Sequence, residues 1–167
     1  MSDSPVFDQD GCTLKLGGAR VVFHCHHYNV FLQRSIEDAL GADAIELQRE
    51  AAAEAARGML TALFADAPGA SLPDKLARAA ALFGSLGFGR ADVSGLSAMG
   101  GEVRVSPSHY AIGWSAKWGA PPGPVDHFAT GFFRGALCAA TGHAPERVKA
   151  TEAPRDERGT IVLLEVR

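Results

Sequence analysis

Residues 125–138 read VDHFATGFFRGALC, the most strongly patterned stretch of the chain. Small residues recur along it at helical spacing, at Gly131, Gly135 and Ala139, beside bulky phenylalanines. The pattern predicts a helix over residues 125–141. Glycines on one side of a helix let another element approach closely, or they leave room for a cavity. Both uses of this glycine stripe are open from the sequence.

The segments on both sides of this helix have the apolar spacing of either a helix or a strand. The pair Gly17-Gly18 between two short apolar runs predicts a hairpin near the N-terminus. Ser71 as an N-cap residue and Pro73 in the first turn predict a helix that ends before Gly87. The other predicted elements are strands 12–16, 19–25, 88–96, 102–106, 147–151 and 160–166, and helices 29–40, 44–64 and 107–118. This order predicts an α+β fold, with helices packed on an antiparallel sheet in a single domain.

Composition limits the classes of protein to consider. The chain has 167 residues, 47% of them hydrophobic, so it can bury one core. We expect a flexible N-terminus over residues 1–10 and one domain over 11–167. The net charge of -3 and the absence of a basic stripe argue against nucleic-acid binding. With no membrane-spanning run and no secretion signal, we expect a cytoplasmic protein without membrane contact.

Three groups of residues are assigned no site. The glycine-rich run 84–89 lacks the lysine of a phosphate-binding loop, so no nucleotide is expected. The charged residues of the first two helices, Glu37 and Arg49 among them, have the spacing of a solvated face. The cysteines are odd in number and far apart, which favours free thiols over disulfides at Cys12, Cys25 and Cys138.

Residues 124–137 resemble the signature helix of the 4-vinyl reductase domain family. Upstream, Leu86-Gly87-Phe88-Gly89 before one strand and residues 106–111 after the next are similar to the family's order. The likeness covers residues 45–166. The family consists of small-molecule-binding modules that occur alone and as sensor domains of aromatic-responsive transcription activators. The resemblance therefore implies an internal pocket for a small hydrophobic or aromatic molecule, and a homodimer.

The chain departs from this family at its metal site. Family members often hold a metal through a cysteine at the start of the signature helix, an acidic residue and two cysteines in the closing hairpin. Here Asp126 occupies the first position, Glu152 lies near the acidic one, and residues 153–163 contain no cysteine. The thiolate site is thus absent, and two carboxylates favour only a weak hard-cation site. The phenol-contacting His and Trp of some sensor members have no matching positions.

A second metal hypothesis comes from residues 21–29, VVFHCHHYN. On a strand, His24 and His26 project from one side, an arrangement typical of zinc or non-haem iron once a third ligand joins them. Asp126 and His127 are candidate further ligands, with His109 and His143 as others. The alternatives are that the histidines bond backbone groups, or that Cys25 is a nucleophile paired with His27. No third group is evident to orient that pair.

The candidate ligand-binding residues lie around the signature helix. A cavity floored by its glycines would have walls from neighbouring aromatic side chains. The residues predicted to contact a ligand are Phe83, Trp114, Phe128, Gly131, Phe132 and Gly135. A binding module or sensor without its own effector is the first hypothesis for function. A metal-dependent enzyme using His24 and His26 with iron or zinc is the second, and an acyl-binding trafficking subunit carrying its chain on Cys25 or Cys138 is the third.

Overall fold

The computed structural model describes residues 5–16, 19–22, 24–156 and 158–167. In these ranges the chain forms five α-helices and two antiparallel sheets, so the predicted α+β fold is confirmed. The small sheet has the strand order β1-β2-β3 and the large one β4-β5-β7-β6. The elements are β1 (Val6–Asp8), β2 (Thr13–Leu16), β3 (Ala19–Val21), α1 (His26–Leu40), α2 (Asp43–Ala65), α3 (Leu72–Ser85), β4 (Gly89–Ser97), β5 (Gly100–Ser108), α4 (His109–Trp118), α5 (His127–Thr141), β6 (Val148–Asp156) and β7 (Gly159–Val166).

Side-chain caps set the start of three helices. The Ser71 hydroxyl accepts the backbone N–H of Asp74 at α3, as the sequence predicts. Ser108 caps α4 by accepting the N–H of Ala111, at 3.1 Å. The Asp126 carboxylate caps α5 by accepting the N–H of Ala129, at 3.0 Å. Each cap satisfies an N–H group that has no partner within its helix.

The large sheet carries a buried face toward α5. In β6 and β7 alternate residues point to this face, which includes Val148 and Ala150 on one strand and Val162 and Leu164 on the other. Glu152 follows in the same alternation, so a carboxylate points toward the helices. The sheet therefore places a charged group where the core would otherwise be apolar.

Helix α5 packs between the large sheet and α2, and almost all of it is buried. The glycine stripe lies against α2. A Cβ at Gly131 would overlap the carbonyl oxygen of Arg49, and one at Gly135 would overlap the carbonyl oxygen of Ala53. The sequence left open whether these glycines allow close packing or leave room for a cavity. At Gly131 and Gly135 they allow close helix packing. No space for a ligand exists between α2 and these two glycines.

The N-terminal region differs from the predicted elements. Residues 6–8 form β1, a strand that the sequence analysis did not predict. Strand β3 ends at Val21 and α1 begins at His26, with Cys25 in extended conformation as its N-cap residue. The prediction that His24 and His26 project from one face of a strand was therefore wrong. Histidine has no strong preference for helix or strand. The buried residues of α1, Val30 and Gln33, have helical spacing, and this spacing extends back to His26.

None of the helices in the described ranges is long and apolar enough to span a membrane. The predicted Gly17-Gly18 turn lies outside the described residues, although β2 and β3 pair on either side of it.

Candidate functional site

A buried polar network surrounds the N-terminus of α5. The Glu152 side chain is only 1% exposed. Its Oε1 accepts the backbone N–H groups of Val125 (2.9 Å) and Asp126 (2.8 Å) and the hydroxyl of Thr160 (3.0 Å). One carboxylate oxygen thereby fastens the turn before α5 to two strands of the sheet.

His127, also 1% exposed, lies between two carboxylates. Its Nε2 is 3.2 Å from Glu37 Oε1, and its Nδ1 is 3.5 Å from Glu152 Oε2. Burial lowers the pKa of His127, but its interactions with the carboxylates of Glu152 and Glu37 together outweigh burial, and the pKa is raised. Burial raises the pKa of Glu152, but His127 and the backbone N–H groups of Asp126 and Val125 together outweigh burial, and the pKa is lowered. Both shifts favour the charged forms of the two groups.

Arg49 completes this network from α2, with Nη2 3.7 Å from Glu152 Oε2. Three buried atoms of the network, Arg49 Nε, His127 Nδ1 and Glu152 Oε2, have no hydrogen bond of good geometry among the described residues. The prediction of a solvated helix face was wrong for Glu37 and Arg49, which are largely buried. Helical spacing shows which charged residues share a face, but not which of them meet a buried histidine from another helix.

Asp126 occupies a fully buried position beside this network. The Ser108 hydroxyl donates to its Oδ2 at 2.6 Å, so the N-caps of α4 and α5 are joined directly. Burial and then the charge of Glu152 raise the pKa of Asp126 to about 7. Asp126 and Glu152 are adjacent, as the family resemblance suggests, but Glu152 is held by His127 and Arg49.

An aromatic cluster lies next to the network, on α3, α4, α5 and the start of β4. Phe88 stacks on Phe128 with ring centroids 3.9 Å apart, and Phe83 contacts Phe88, Phe128 and Phe132. Tyr110 stacks on Phe88 at 6.4 Å. Beside Tyr110 and Phe128 lies a cavity of about 280 Å³ that is open to solvent on the protein surface. Its remaining lining comes from α1 and α2, namely Gln33, Gln48, Ala51, Ala52 and Ala55.

His109 connects this cluster to α1. Its ring meets Phe88 edge-on, and its Nδ1 is 3.2 Å from Nδ1 of His26. Burial and then the neighbouring His26 lower the pKa of His109 to about 4, so it is neutral at pH 7. Its buried Nε2 has no hydrogen-bond partner among the described residues. Gly113 lies against the same histidine pair, since a Cβ there would come within 2.8 Å of the His26 ring.

The structure separates the four predicted metal ligands into two pairs, one at the start of α1 and one at the start of α5. His24 is exposed and stacks on Tyr28, and His26 pairs with His109. Asp126 and His127 belong to the buried network. In the described part of the chain no group of three or more His, Cys, Asp or Glu side chains has the arrangement of a metal site. A helix starting at His26 turns its side chain toward α4, which strand alternation did not anticipate.

The six predicted ligand-contacting residues also separate. Phe83, Phe128 and Phe132 share the aromatic cluster, and of the six only Phe128 lines the 280 Å³ cavity. Trp114 lies in a second small core with Ala111 and Val125. The sequence did not point to Tyr110, and it pointed to His109 only as a candidate metal ligand. The signal available for them was their position directly after the Ser108 cap, where two aromatic rings begin a helix.

Another opening lies between α3 and the edge strand β4. It is a surface groove of about 740 Å³, with alanines of α3 on one side and Ala91, Val93 and Leu96 of β4 on the other. It contains none of the predicted site residues.

Comparison with known proteins identifies the class of fold. No family model and no curated protein matches the sequence. Among solved structures, a similar fold is found in the phenol-responsive sensory domain of the transcription activator PoxR, crystallised with phenol. The two superpose with a TM-score of 0.78 at 17% identity, over 96% of this chain and 84% of that one. The likeness establishes the fold alone, and the 4-vinyl reductase family stays a resemblance.

Proposed function

We propose that this chain is a ligand-binding domain for a small hydrophobic or aromatic molecule, related in kind to the sensor modules of the 4-vinyl reductase domain family. The observation that carries the proposal is the 280 Å³ cavity walled by Tyr110 and Phe128. A pocket with aromatic walls and a few polar groups suits such a ligand. The PoxR sensory domain, which shares the fold, was crystallised with phenol.

Polar groups at the cavity favour a ligand with a hydroxyl group. The amide nitrogens of Gln33 and Gln48 donate to the carbonyl oxygens of Val125 and Ala44. In this proposal, the amide oxygens of these two residues accept a hydrogen bond from the ligand. His109 is not part of the cavity lining, but next to the lining residue Tyr110 it carries a neutral imidazole whose buried Nε2 has no hydrogen-bond partner among the described residues. An aromatic alcohol combines the ring and the donor that these groups match.

The test fills the cavity without touching the core. Ala51 and Ala55 line the cavity from exposed positions on α2, so replacing both with Leu occupies the space that a ligand needs. Calorimetric titration with phenol should detect binding to the unmodified chain and at least tenfold weaker binding to Ala51→Leu/Ala55→Leu. Ala62→Leu, another exposed α2 position outside the cavity, is the matched control and should bind normally. The proposal fails if phenol and substituted phenols do not bind, or if the double variant binds them equally well.

A metal-dependent enzyme is the second candidate function, favoured by one observation. The Nδ1 atoms of His26 and His109 are 3.2 Å apart, close to the separation of two nitrogen ligands that each lie about 2.0 Å from one tetrahedral zinc ion. His24 or a carboxylate would have to move to complete the site. Metal analysis of the purified protein decides this. About one equivalent of iron or zinc, lost in His24→Ala/His26→Ala, would favour the enzyme, and metal-free protein that binds phenol would exclude it.

A further inference from the structure

A basic pocket lies between α2, α5 and the edge strand β6. It has a volume of about 350 Å³ and shares no lining residue with the cavity beside Tyr110. Four of its nine lining residues are cationic, in a chain whose net charge is -3. Positive charge concentrated in a concave site attracts anions from solution. The residues that line the basic pocket are Glu46, Arg49, Arg134, Glu146, Val148, Lys149, Ala150, Thr151 and Arg167.

Arg49 brings an unsatisfied charge to this pocket. Its side chain is only 14% exposed, and its buried Nε has no hydrogen-bond partner among the described residues. Its Nη2 lies 3.7 Å from Glu152 Oε2, which is too long for a hydrogen bond. A guanidinium carries five N–H donors, and burying them without acceptors costs free energy. Arg49 therefore has donors available for an acceptor in the basic pocket.

The edge strand β6 adds two further donors. The Arg167 N–H donates to the Arg147 carbonyl, so these two residues form a hydrogen-bonded pair between β7 and β6. Hydrogen-bonded and non-hydrogen-bonded pairs alternate along an antiparallel ladder. Ala150, opposite Leu164, therefore turns its N–H away from β7 and toward the open edge of the sheet. Lys149 is exposed and forms no ion pair within the described part of the chain.

The other charges of the pocket are partly neutralised. Arg134 is held in place, because its Nε donates to the Val148 carbonyl at 2.8 Å and its Nη1 pairs with Glu50. Glu46 lies 3.9 Å from the same Nη1. Glu146 is exposed and has no ion pair among the described residues. Glu146 is thus the lining carboxylate that opposes an anion most directly.

We propose that the basic pocket binds the phosphate group of a small molecule through the Arg49 guanidinium, the Lys149 ammonium and the backbone N–H of Ala150. Donors from three separate groups suit the several acceptor oxygens of a phosphate better than the two oxygens of a carboxylate. The volume of 350 Å³ leaves room for a small group attached to the phosphate. None of the lining residues is aromatic, so a nucleobase has no ring on which to stack. The site does not depend on the proposed binding of an aromatic ligand.

Titration with inorganic phosphate at constant ionic strength, followed by heteronuclear NMR, tests this site. The Ala150 N–H and Arg49 Nε–H resonances should shift together and saturate. Arg49→Met should weaken phosphate binding about tenfold, because a charge-assisted hydrogen bond is lost. Lys149→Gln should weaken it about threefold, as expected for an exposed charge. Glu146→Gln should strengthen it about twofold, because a like charge is removed.

The matched control is Lys15→Gln, which removes another exposed strand lysine outside the pocket and should leave phosphate binding unchanged. Thermal unfolding without phosphate shows whether Arg49→Met still folds, and the exposed positions Lys149 and Glu146 decide the test if it does not. The proposal is overturned if shifts spread over the surface without saturation, or if Lys149→Gln binds phosphate as the unmodified chain does. Acetate binding as tightly as phosphate would also overturn it, since the site would then be one for carboxylates.

Discussion

Two pairs of helices in this molecule approach closely at a glycine, with different consequences. Helix α5 meets α2 at Gly131 and Gly135, where the atoms opposite are backbone carbonyls. Helix α4 meets α1 at Gly113, where the atoms opposite are the side chains of Val30 and His26, 2.6 and 2.8 Å from an added Cβ. Backbone of a packed helix cannot move aside locally, whereas a side chain can change its rotamer. The α2–α5 contact is therefore rigid, and the α1–α4 contact can adjust.

The polar groups follow the same division. The N-terminus of α5 holds a charged, buried network around His127 and Glu152. The N-terminus of α4 holds a neutral histidine, His109, beside aromatic rings and the 280 Å³ cavity. Charge pairing specifies one geometry, while an unpaired neutral imidazole leaves a bonding position for another molecule. We call the α2–α5 contact with the network around His127 the rigid side, and the α1–α4 contact with His109 the adaptable side. The proposed ligand cavity lies on the adaptable side.

The largest expected effect comes from breaking the rigid side. Glu152→Ala removes the acceptor of two backbone N–H groups and leaves His127 and Arg49 with one fewer carboxylate. Removing one partner of a buried ion pair costs about 3–5 kcal/mol, so urea unfolding should show a loss of this size. Glu54→Ala, which removes an exposed glutamate paired with Arg57, is the control and should change stability far less. A loss below about 1 kcal/mol for Glu152→Ala would mean that the network does not brace α5.

Replacing the glycine at each helix contact with alanine adds one methyl group, and the resulting loss of stability measures how rigid that contact is. Gly131→Ala forces α2 and α5 apart and should cost about 1–3 kcal/mol. Gly113→Ala should cost less, because the atoms that it meets belong to the side chains of Val30 and His26 and not to backbone. Gly58→Ala, in the interior of α2 with open space around it, should stabilise the chain by about 0.5–1 kcal/mol. Equal losses at Gly131 and Gly113 in thermal unfolding would contradict the contrast between the two contacts.

The rigid side was the more predictable from sequence. The periodicity of residues 125–138 predicts α5, and its glycines predict close packing as one of two uses. Cap residues such as Ser71 are local signals, so α3 could be placed closely. The charged network could not be predicted, because it joins Glu37, Arg49 and Glu152 from three elements to one histidine. Only the tertiary arrangement of α1, α2 and β6 decides that these charges are buried together.

The adaptable side was predicted less well. A run of histidines has no decisive preference, and assigning it to a strand placed His24 and His26 on a common face. The structure starts a helix within the run, so His26 meets His109 instead. The aromatic cluster was anticipated through Phe83, Phe128 and Phe132. The cavity beside it depends on α1 and α2 side chains whose spacing carries no signal of a pocket.

The smallest expected effect is the pH dependence of the adaptable side. His109 has a pKa of about 4 in the folded chain and its ordinary value of 6.5 when unfolded, so the unfolded state binds more protons between these values. Stability should fall as pH drops from 6.5 toward 4, and His109→Gln should remove this contribution. Asp126, with its pKa raised from 3.8 to about 7, acts in the opposite sense across this whole window, so the comparison must be between the chain and the variant. Because His109 is only half-buried, solvent screening limits the difference between pH 7 and 5 to about 1 kcal/mol or less.

Histidine NMR titration gives the same comparison without unfolding. The His109 resonance should titrate below its ordinary range, because burial and His26 disfavour its charged form. The His127 resonance should titrate above its ordinary range, because Glu152 and Glu37 outweigh burial. If phenol occupies the cavity and its hydroxyl reaches Nε2, the neutral imidazole gains a partner, and the His109 pKa should fall further on binding. Similar pKa values for the two histidines would mean that the charged and neutral ends of the molecule are not distinct, and the division between a rigid and an adaptable side would fail.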